Sequence, residues 1–144
     1  MDATFHQTIP NDFIRLHGLM EEATQFLERQ GVDERGVYLL NLGLEEVVTN
    51  IIKYGYDHPG TYGIEVTLTI RANEVTLLIV DDGHAFDPIA HERKPVPANV
   101  EEREIGGLGI FLLKKQLDRM EYRREAGRNI LELKTRRTLA QPAG

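Results

Sequence analysis

The feature that most constrains the fold is a nearly continuous apolar run over residues 75–80. Such a run is typical of a central strand that is covered on both faces. Just before it, residues 64–71 alternate apolar and polar side chains, which is the period of a half-buried strand. The link at 72–74 is short, so the two segments predict neighbouring strands in one sheet.

Helical patterns flank these two strands. After a strand-like start at residues 3–9, apolar residues recur at spacings of three and four in two stretches, which predicts two amphipathic helices. Asp33 is placed to cap the second helix, and Gly31 and Gly55 are placed to end the two helices. The apolar stripes are Phe13, Leu16, Met20, Ala23 and Leu27 in the first helix and Leu40, Leu44, Val47, Ile51 and Tyr54 in the second.

The chain closes with a third helix, carrying Ile110, Leu113 and Leu117, and a hairpin over residues 122–134 that is broken at 127–129. The full order is strand, two helices, two strands, a loop, a helix and two strands. This order predicts an α+β fold, a two-layer sandwich in which a mixed, mostly antiparallel sheet carries helices on one face.

Composition narrows the class of protein. A chain of 144 residues with 41% hydrophobic and 28% charged residues predicts one globular domain, which we place at residues 1–137 with a disordered tail at 138–144. The absence of cysteine excludes disulfides, thiolate metal sites and cysteine nucleophiles. A net charge of −6 disfavours nucleic acid and anionic membranes as partners. No secretory signal and no membrane-spanning run is visible, so we expect a cytoplasmic protein.

One ridge of the second helix carries polar groups beside the apolar stripe. Gly43, Glu46, Asn50 and Lys53 share its spacing, displaced by one residue, so they line up on one side of the helix. A solvated helix face explains the same pattern, and for Lys53 it is the better explanation. Asn50 is harder to explain in this way, because asparagine is a poor helix former that gains from a specific partner.

Asp81, Asp82 and Gly83 follow directly after the apolar strand. Ordinary turn chemistry accounts for these residue types. A carboxylate at the last position of a buried strand, however, requires a hydrogen-bond donor, and the exocyclic amine of a ligand is one such donor.

The third element is a long loop over residues 83–105, which holds three of the six prolines and ends at Gly106, Gly107, Leu108 and Gly109. Long loops in compact domains are usually lids or binding segments. A glycine-rich turn at a helix N-terminus lets backbone N–H groups approach a phosphate, although a flexible loop end has the same composition. Neither a Walker A motif nor a dinucleotide-binding βαβ unit is present.

In this order the three elements resemble a known superfamily. Residues 46–50 resemble the N box of the GHKL ATPases, residues 80–88 their first glycine box, and residues 106–112 their second. The likeness is strongest to the small anti-sigma-factor serine/threonine kinases, whose closing Gly-x-Asn-x-Leu-x-Leu pattern matches residues 127–133. One departure is Ala85, where the first glycine box often has a second glycine. The resemblance implies the Bergerat, or histidine-kinase-like, ATPase fold with ATP and Mg²⁺ as cofactors.

The resemblance also implies a role for each matching residue. Glu46 would be the general base, and Asn50, one helical turn further along, would coordinate the Mg²⁺ that bridges the ATP phosphates. Asp81 would accept a hydrogen bond from the adenine amino group, and Gly83 would let the base approach.

The phosphates would be bound near the third helix. By the resemblance, the backbone N–H groups of Gly107, Leu108 and Gly109 would contact them beneath an ATP lid formed by residues 87–106. Arg103 is the basic lid residue nearest these glycines; an exposed lid charge explains it better than a phosphate contact.

On this resemblance we expect an ATP-dependent protein serine/threonine kinase and partner-switch regulator that phosphorylates a STAS-domain anti-anti-sigma protein and binds a sigma factor. The alternative is a nucleotide-dependent module that sequesters its partner with little or no phosphotransfer; Glu46 favours the kinase, because sequestration needs no base. A two-component histidine kinase fits less well, because no phosphoacceptor motif precedes the N box. The apolar stripe of the first helix is most simply explained as core, and the family likeness also suggests a homodimer through the outer residues of that helix.

Overall fold

The computed structural model describes residues 2–90 and 108–137. The predicted tail at 138–144 and most of the predicted lid therefore lie outside the described residues. None of the helices in the described part of the chain combines the length and apolar character that a membrane crossing requires. The elements are β1 (Ala3–Pro10), α1 (Phe13–Arg29), α2 (Glu34–Tyr54), β2 (Gly63–Ile70), β3 (Glu74–Asp81), α3 (Leu108–Gln116), β4 (Arg119–Glu125) and β5 (Arg128–Arg136).

The five strands form one sheet in the order β1-β2-β3-β5-β4. Every neighbouring pair is antiparallel, so the sheet contains no parallel pairing among the described residues. The strand with the continuous apolar run, β3, lies in the middle of the sheet, as its sequence predicts. The α+β class and the order of elements are confirmed.

The core lies between the sheet and the helices. Helix α1 packs on α2, and α2 packs on α3 and on the central strands. The alternation predicted for β2 holds completely, since its inward residues Ile64, Val66, Leu68 and Ile70 are all buried. The helices contribute buried residues at the predicted spacing, among them Leu16, Leu19, Ala23, Leu27, Leu40, Leu44, Val47 and Leu113.

Two ends of the predicted helix stripes are not part of this core. Phe13 is the first residue of α1 and is 41% exposed, while Tyr54 is the last residue of α2 and is 54% exposed. In α1, Leu19 and Phe26 are buried although neither belongs to the predicted stripe. A stripe drawn from spacing alone runs to the helix ends, whereas packing occurs only where another element lies opposite.

The apolar run of β3 is covered differently on its two faces. Val75, Leu77 and Ile79 are buried in the core, but Leu78 and Val80, on the opposite face, are only half-buried. Thr76, on the same face as Leu78 and Val80, is also buried, so within the described residues the second face is covered in part. The expectation of cover on both faces therefore holds fully for the core face and only partly for the other.

The closing hairpin turns at Ala126 and Gly127, one residue earlier than its sequence predicts. Both residues have positive φ, 52° for Ala126 and 76° for Gly127, as a tight two-residue hairpin turn requires. Asn129, which the sequence places in the break, belongs to β5 and pairs with Arg124 of β4 and Asp81 of β3.

Replacing Ala126 tests the strain in this turn. The left-handed backbone costs an ordinary residue about 1–2 kcal/mol, whereas asparagine tolerates it. Ala126→Asn is expected to raise the free energy of unfolding by about 0.5–1 kcal/mol, measured by urea titration. Because Ala126 is exposed, no packing is lost, and a decrease in stability would contradict the turn geometry.

Candidate functional site

A cavity of about 300 Å³ opens between the C-terminal half of α2 and the adjacent ends of β3 and β5. Its walls are mainly apolar, which suits the flat face of an aromatic ring. Polar side chains also line it, so it combines an apolar slot with directed polar groups. The apolar walls include Val47, Ile51, Ile79 and Leu131, and the polar side chains include Asn50, Asp81 and Asn129, from three different elements.

Asp81 is the buried acid of this cavity, with only 6% of its surface exposed. Its Oδ2 accepts hydrogen bonds from the Gly83 backbone N–H at 2.9 Å and from Asn129 Nδ2 at 3.0 Å. Burial raises the pKa of Asp81, and these two hydrogen bonds oppose that rise. Among the described residues no donor reaches its Oδ1, which leaves that oxygen to accept from a ligand.

Gly83 lies where the turn after β3 meets the end of α2. The backbone N–H of His84 donates to the Gly55 carbonyl oxygen at 2.8 Å. A Cβ on Gly83 would lie 2.5 Å from that oxygen, closer than real Cβ atoms approach. The contact with Gly55 therefore requires a glycine here, and the predicted role of Gly83 toward a base remains a prediction.

Side-chain contacts fasten the loop after α2 to the same turn. The Tyr56 hydroxyl donates to Asp82 Oδ1 at 2.8 Å, and the His84 ring lies 2.8 Å from Asp57 Oδ1. Tyr56 also stacks on Tyr62, with ring centroids 3.8 Å apart. Burial and the hydrogen bond to Asp82 both raise the pKa of Tyr56, so its hydroxyl remains a donor. These contacts hold the loop after α2 against the turn after β3, next to the cavity.

Glu46 and Asn50 lie one turn apart on α2, as their spacing predicts, and both are half-buried. Asn50 lines the cavity. Glu46 lies against the first turn of α3, since a Cβ on Gly109 would be 2.3 Å from its Cγ and Cδ. Burial raises the pKa of Glu46, the charge of Glu45 raises it further, and Lys53 lowers it.

The other two members of the predicted polar ridge behave differently. Gly43 is buried, and a Cβ there would lie 2.6 Å from Leu133 Cδ1, so this glycine serves the close approach of α2 to β5. Lys53 is exposed, as a solvated helix face predicts. The ridge thus divides into one packing residue, two residues near the cavity and one surface residue.

The predicted phosphate-binding turn is described only in part. Leu108 is exposed and begins α3, and Gly109 is buried beside Glu46. Gly107, Arg103 and residues 91–106 of the predicted lid lie outside the described residues. Of the lid's first residues, Pro88 lines the cavity.

Sequence reasoning gave no role to Asn129, although its side chain lines the cavity and bonds several of the polar groups around it. Its Oδ1 accepts from the Tyr122 hydroxyl at 2.6 Å and from Arg124 Nη1 at 3.1 Å. A signal for it was present, because Asn129, Leu131 and Leu133 occupy alternate positions of β5. A polar residue on the buried face of a strand needs partners.

Residues 9–135 match the family described as the histidine kinase-like ATPase domain. The chain belongs to this family. The superfamily resemblance drawn from the N box and the two glycine boxes is thereby confirmed.

Named relatives point in the same direction. The chain is 29% identical over 96 residues to the serine/threonine-protein kinase BtrW of Bordetella bronchiseptica, covering 67% of this chain and 68% of that protein. It is 26% identical over 92 residues to the serine-protein kinase RsbW of Halalkalibacterium halodurans, covering 61% and 56%, and 29% identical over 91 residues to RsbW of Staphylococcus aureus, covering 60% and 57%. The matched region thus spans little more than half of either RsbW protein.

A solved structure shares the fold. The crystal structure of the RsbU and RsbW domains of Rv1364c from Mycobacterium tuberculosis aligns with 98% of this chain and 34% of that chain, with a TM-score of 0.68 and 17% identity. At this identity the alignment confirms the fold alone.

Gly83→Ala tests the close approach at the cavity rim. The added Cβ must push the Gly55 backbone away, so the free energy of unfolding is expected to fall by about 1–3 kcal/mol in urea titration. Gly18→Ala is the matched control, because nothing lies within 4 Å of a Cβ there and alanine in a helix is expected to add about 0.5–1 kcal/mol. Equal effects of the two substitutions would contradict the contact.

Proposed function

We propose that this chain is an ATP-dependent protein serine/threonine kinase of the anti-sigma-factor type, which phosphorylates a hydroxyl of a STAS-domain anti-anti-sigma protein and exchanges it for a sigma factor in the cytoplasm. The observation that carries the proposal is the position of Glu46. A half-buried carboxylate lies against Gly109 at the start of α3 and one helical turn from Asn50, which lines the apolar cavity together with Asp81. Similarity to proteins named serine-protein kinases supports it.

The cavity suits an adenine base. Ile51, Ile79 and Leu131 provide apolar surfaces for the ring, and burial of a base between such side chains is favourable. Oδ1 of Asp81 would accept the hydrogen bond of the adenine amino group. The triphosphate would then extend toward the N-terminus of α3, where the backbone N–H groups of Gly107, Leu108 and Gly109 are proposed to bind it.

The residues present fit a magnesium ion that arrives with the nucleotide. Within the described residues there is no group of three His, Cys, Asp or Glu side chains that could hold a metal. The amide oxygen of Asn50 is a hard ligand at the cavity wall, and Mg²⁺ commonly uses few protein ligands beside substrate phosphates and water. When bound, the ion neutralises phosphate charge in the transfer.

Glu46 is proposed to receive the proton of the acceptor hydroxyl. In this step the hydroxyl oxygen of the partner bonds to the γ-phosphorus, the bond to the β,γ-bridging oxygen breaks, ADP leaves, and the hydroxyl proton passes to the Glu46 carboxylate. A raised pKa makes this carboxylate a better proton acceptor than an exposed glutamate.

Glu46→Gln tests the base. With Mg-ATP and the STAS-domain protein encoded nearest to the chain's own gene, phosphotransfer is expected to fall by about 10²–10⁴-fold, because a positioned base contributes that much. ATP affinity, measured by calorimetry, is expected to stay within about twofold, because the base acts in the transfer and not in nucleotide binding. Glu45→Gln, at the exposed neighbouring position, is the matched control. At a pH well above the pKa of Glu46, this variant is expected to transfer phosphate at the rate of the natural chain.

The outcomes separate the proposals. Unchanged transfer in Glu46→Gln would overturn the role of Glu46, and no ATP binding by the natural chain would overturn the nucleotide site. Binding of ATP and partner without any phosphotransfer would establish the sequestration module in place of the kinase.

The pH dependence of transfer gives a second test. Because the ionised carboxylate accepts the proton, the rate is expected to rise as pH rises through the raised pKa of Glu46. The negative charge of Glu45 contributes to that rise in pKa, so Glu45→Gln is expected to move the midpoint to lower pH. Glu34→Gln, in the first turn of α2, is expected to leave the midpoint in place; equal midpoints in all three proteins would contradict the assignment.

A further inference from the structure

We propose that Asn129 is a positioning residue that makes the cavity select a 6-aminopurine. Asn129 donates a hydrogen bond to one carboxylate oxygen of Asp81, and the other oxygen is left to accept a hydrogen bond from the base. The inference rests on the proposed nucleotide site and adds to it the origin of base selectivity. Asn129 is 7% exposed and stands directly opposite Asp81 across the β3–β5 pairing.

The amide of Asn129 has its hydrogen-bonding capacity fully used. Its Nδ2 donates to Asp81 Oδ2 at 3.0 Å and to the His84 carbonyl oxygen at 2.7 Å. Its Oδ1 accepts from the Tyr122 hydroxyl at 2.6 Å, Arg124 Nη1 at 3.1 Å and the Phe86 backbone N–H at 3.3 Å. Three donors on one side and two acceptors on the other permit a single orientation of the amide.

This orientation decides what Asp81 can bind. With Asn129 and the Gly83 N–H both donating to Oδ2, that oxygen has no capacity left for a ligand in the plane of the carboxylate. The hydrogen bonds also oppose the rise in the pKa of Asp81 that burial causes, so they favour the ionised, acceptor-only form. An exocyclic amine satisfies such an acceptor, whereas the carbonyl oxygen of a 6-oxopurine meets it as a second acceptor.

The network also ties selectivity to the turn that precedes the predicted lid. Asn129 bonds the backbone at His84 and Phe86, and Arg124 Nη1 donates to the Gly83 carbonyl oxygen at 2.8 Å. The closing hairpin thus holds the acid and the turn that follows it as one unit. Selection of the base is therefore a property of β4 and β5 as well as of the acid itself.

The experiment compares dissociation constants for ATP and inosine triphosphate, which carries a 6-oxo group, by calorimetry with Mg²⁺. The natural chain is expected to prefer ATP by about 10–150-fold, the range of one hydrogen bond to a charged group. Asn129→Leu removes the donor and is expected to reduce the preference to within about threefold. Asn129→Thr, which keeps a donor hydroxyl on the strand, is expected to retain most of it.

Two further variants separate positioning from folding. Asn41→Leu is the matched control, because Asn41 also joins two elements, through Thr24 at 2.5 Å, but lies away from the cavity; it is expected to keep the ATP preference. Tyr122→Phe removes one donor to Asn129 and is expected to reduce the preference about 2–5-fold, which provides the test if Asn129→Leu does not fold.

The two failures can be told apart. An unchanged ATP preference in folded Asn129→Leu, or in Tyr122→Phe if the leucine variant is unfolded, overturns the role of Asn129 while the proposed function stands. A natural chain that binds neither nucleotide overturns the proposed function itself.

Discussion

The pairing of β3 with β5 fixes both the core and the cavity of this domain. In one register, Leu77 faces Leu133, Ile79 faces Leu131 and Asp81 faces Asn129, so the buried face changes from apolar to polar at the sheet end. A slip of one residue would turn every one of these side chains to the opposite face. Asp81 is therefore held by the same alternation that builds the hydrophobic core.

The two acids near the cavity have raised pKa values from the same first cause, burial, but their surroundings differ. Hydrogen bonds from Gly83 and Asn129 favour the ionised form of Asp81. Glu46 has a like charge beside it in Glu45, which disfavours ionisation. Two carboxyl groups of the same chemistry thus differ in how strongly their neighbours favour the ionised form, which suits the different roles proposed for them.

Much of this could be predicted from the sequence, because periodicity reports which face of an element is buried. The strands β2 and β3, the paired positions of Glu46 and Asn50, and the exposed position of Lys53 all follow from spacing. The alternation of β5 indicates that Asn129 faces inward, but its bond to Asp81 could not be predicted, since the two residues are 48 positions apart. Contacts between loops, such as Tyr56 with Asp82, were missed for the same reason: no local period encodes them.

The contact between Gly109 and Glu46 has a consequence for how such a chain can vary. A Cβ at position 109 would lie 2.3 Å from Cγ and Cδ of Glu46, so any larger residue there would force the Glu46 side chain to move. The glycine thus fixes where the carboxylate of Glu46 lies. Relatives with a larger residue at the position of Gly109 are therefore expected to hold the side chain at the position of Glu46 differently or to carry a shorter one.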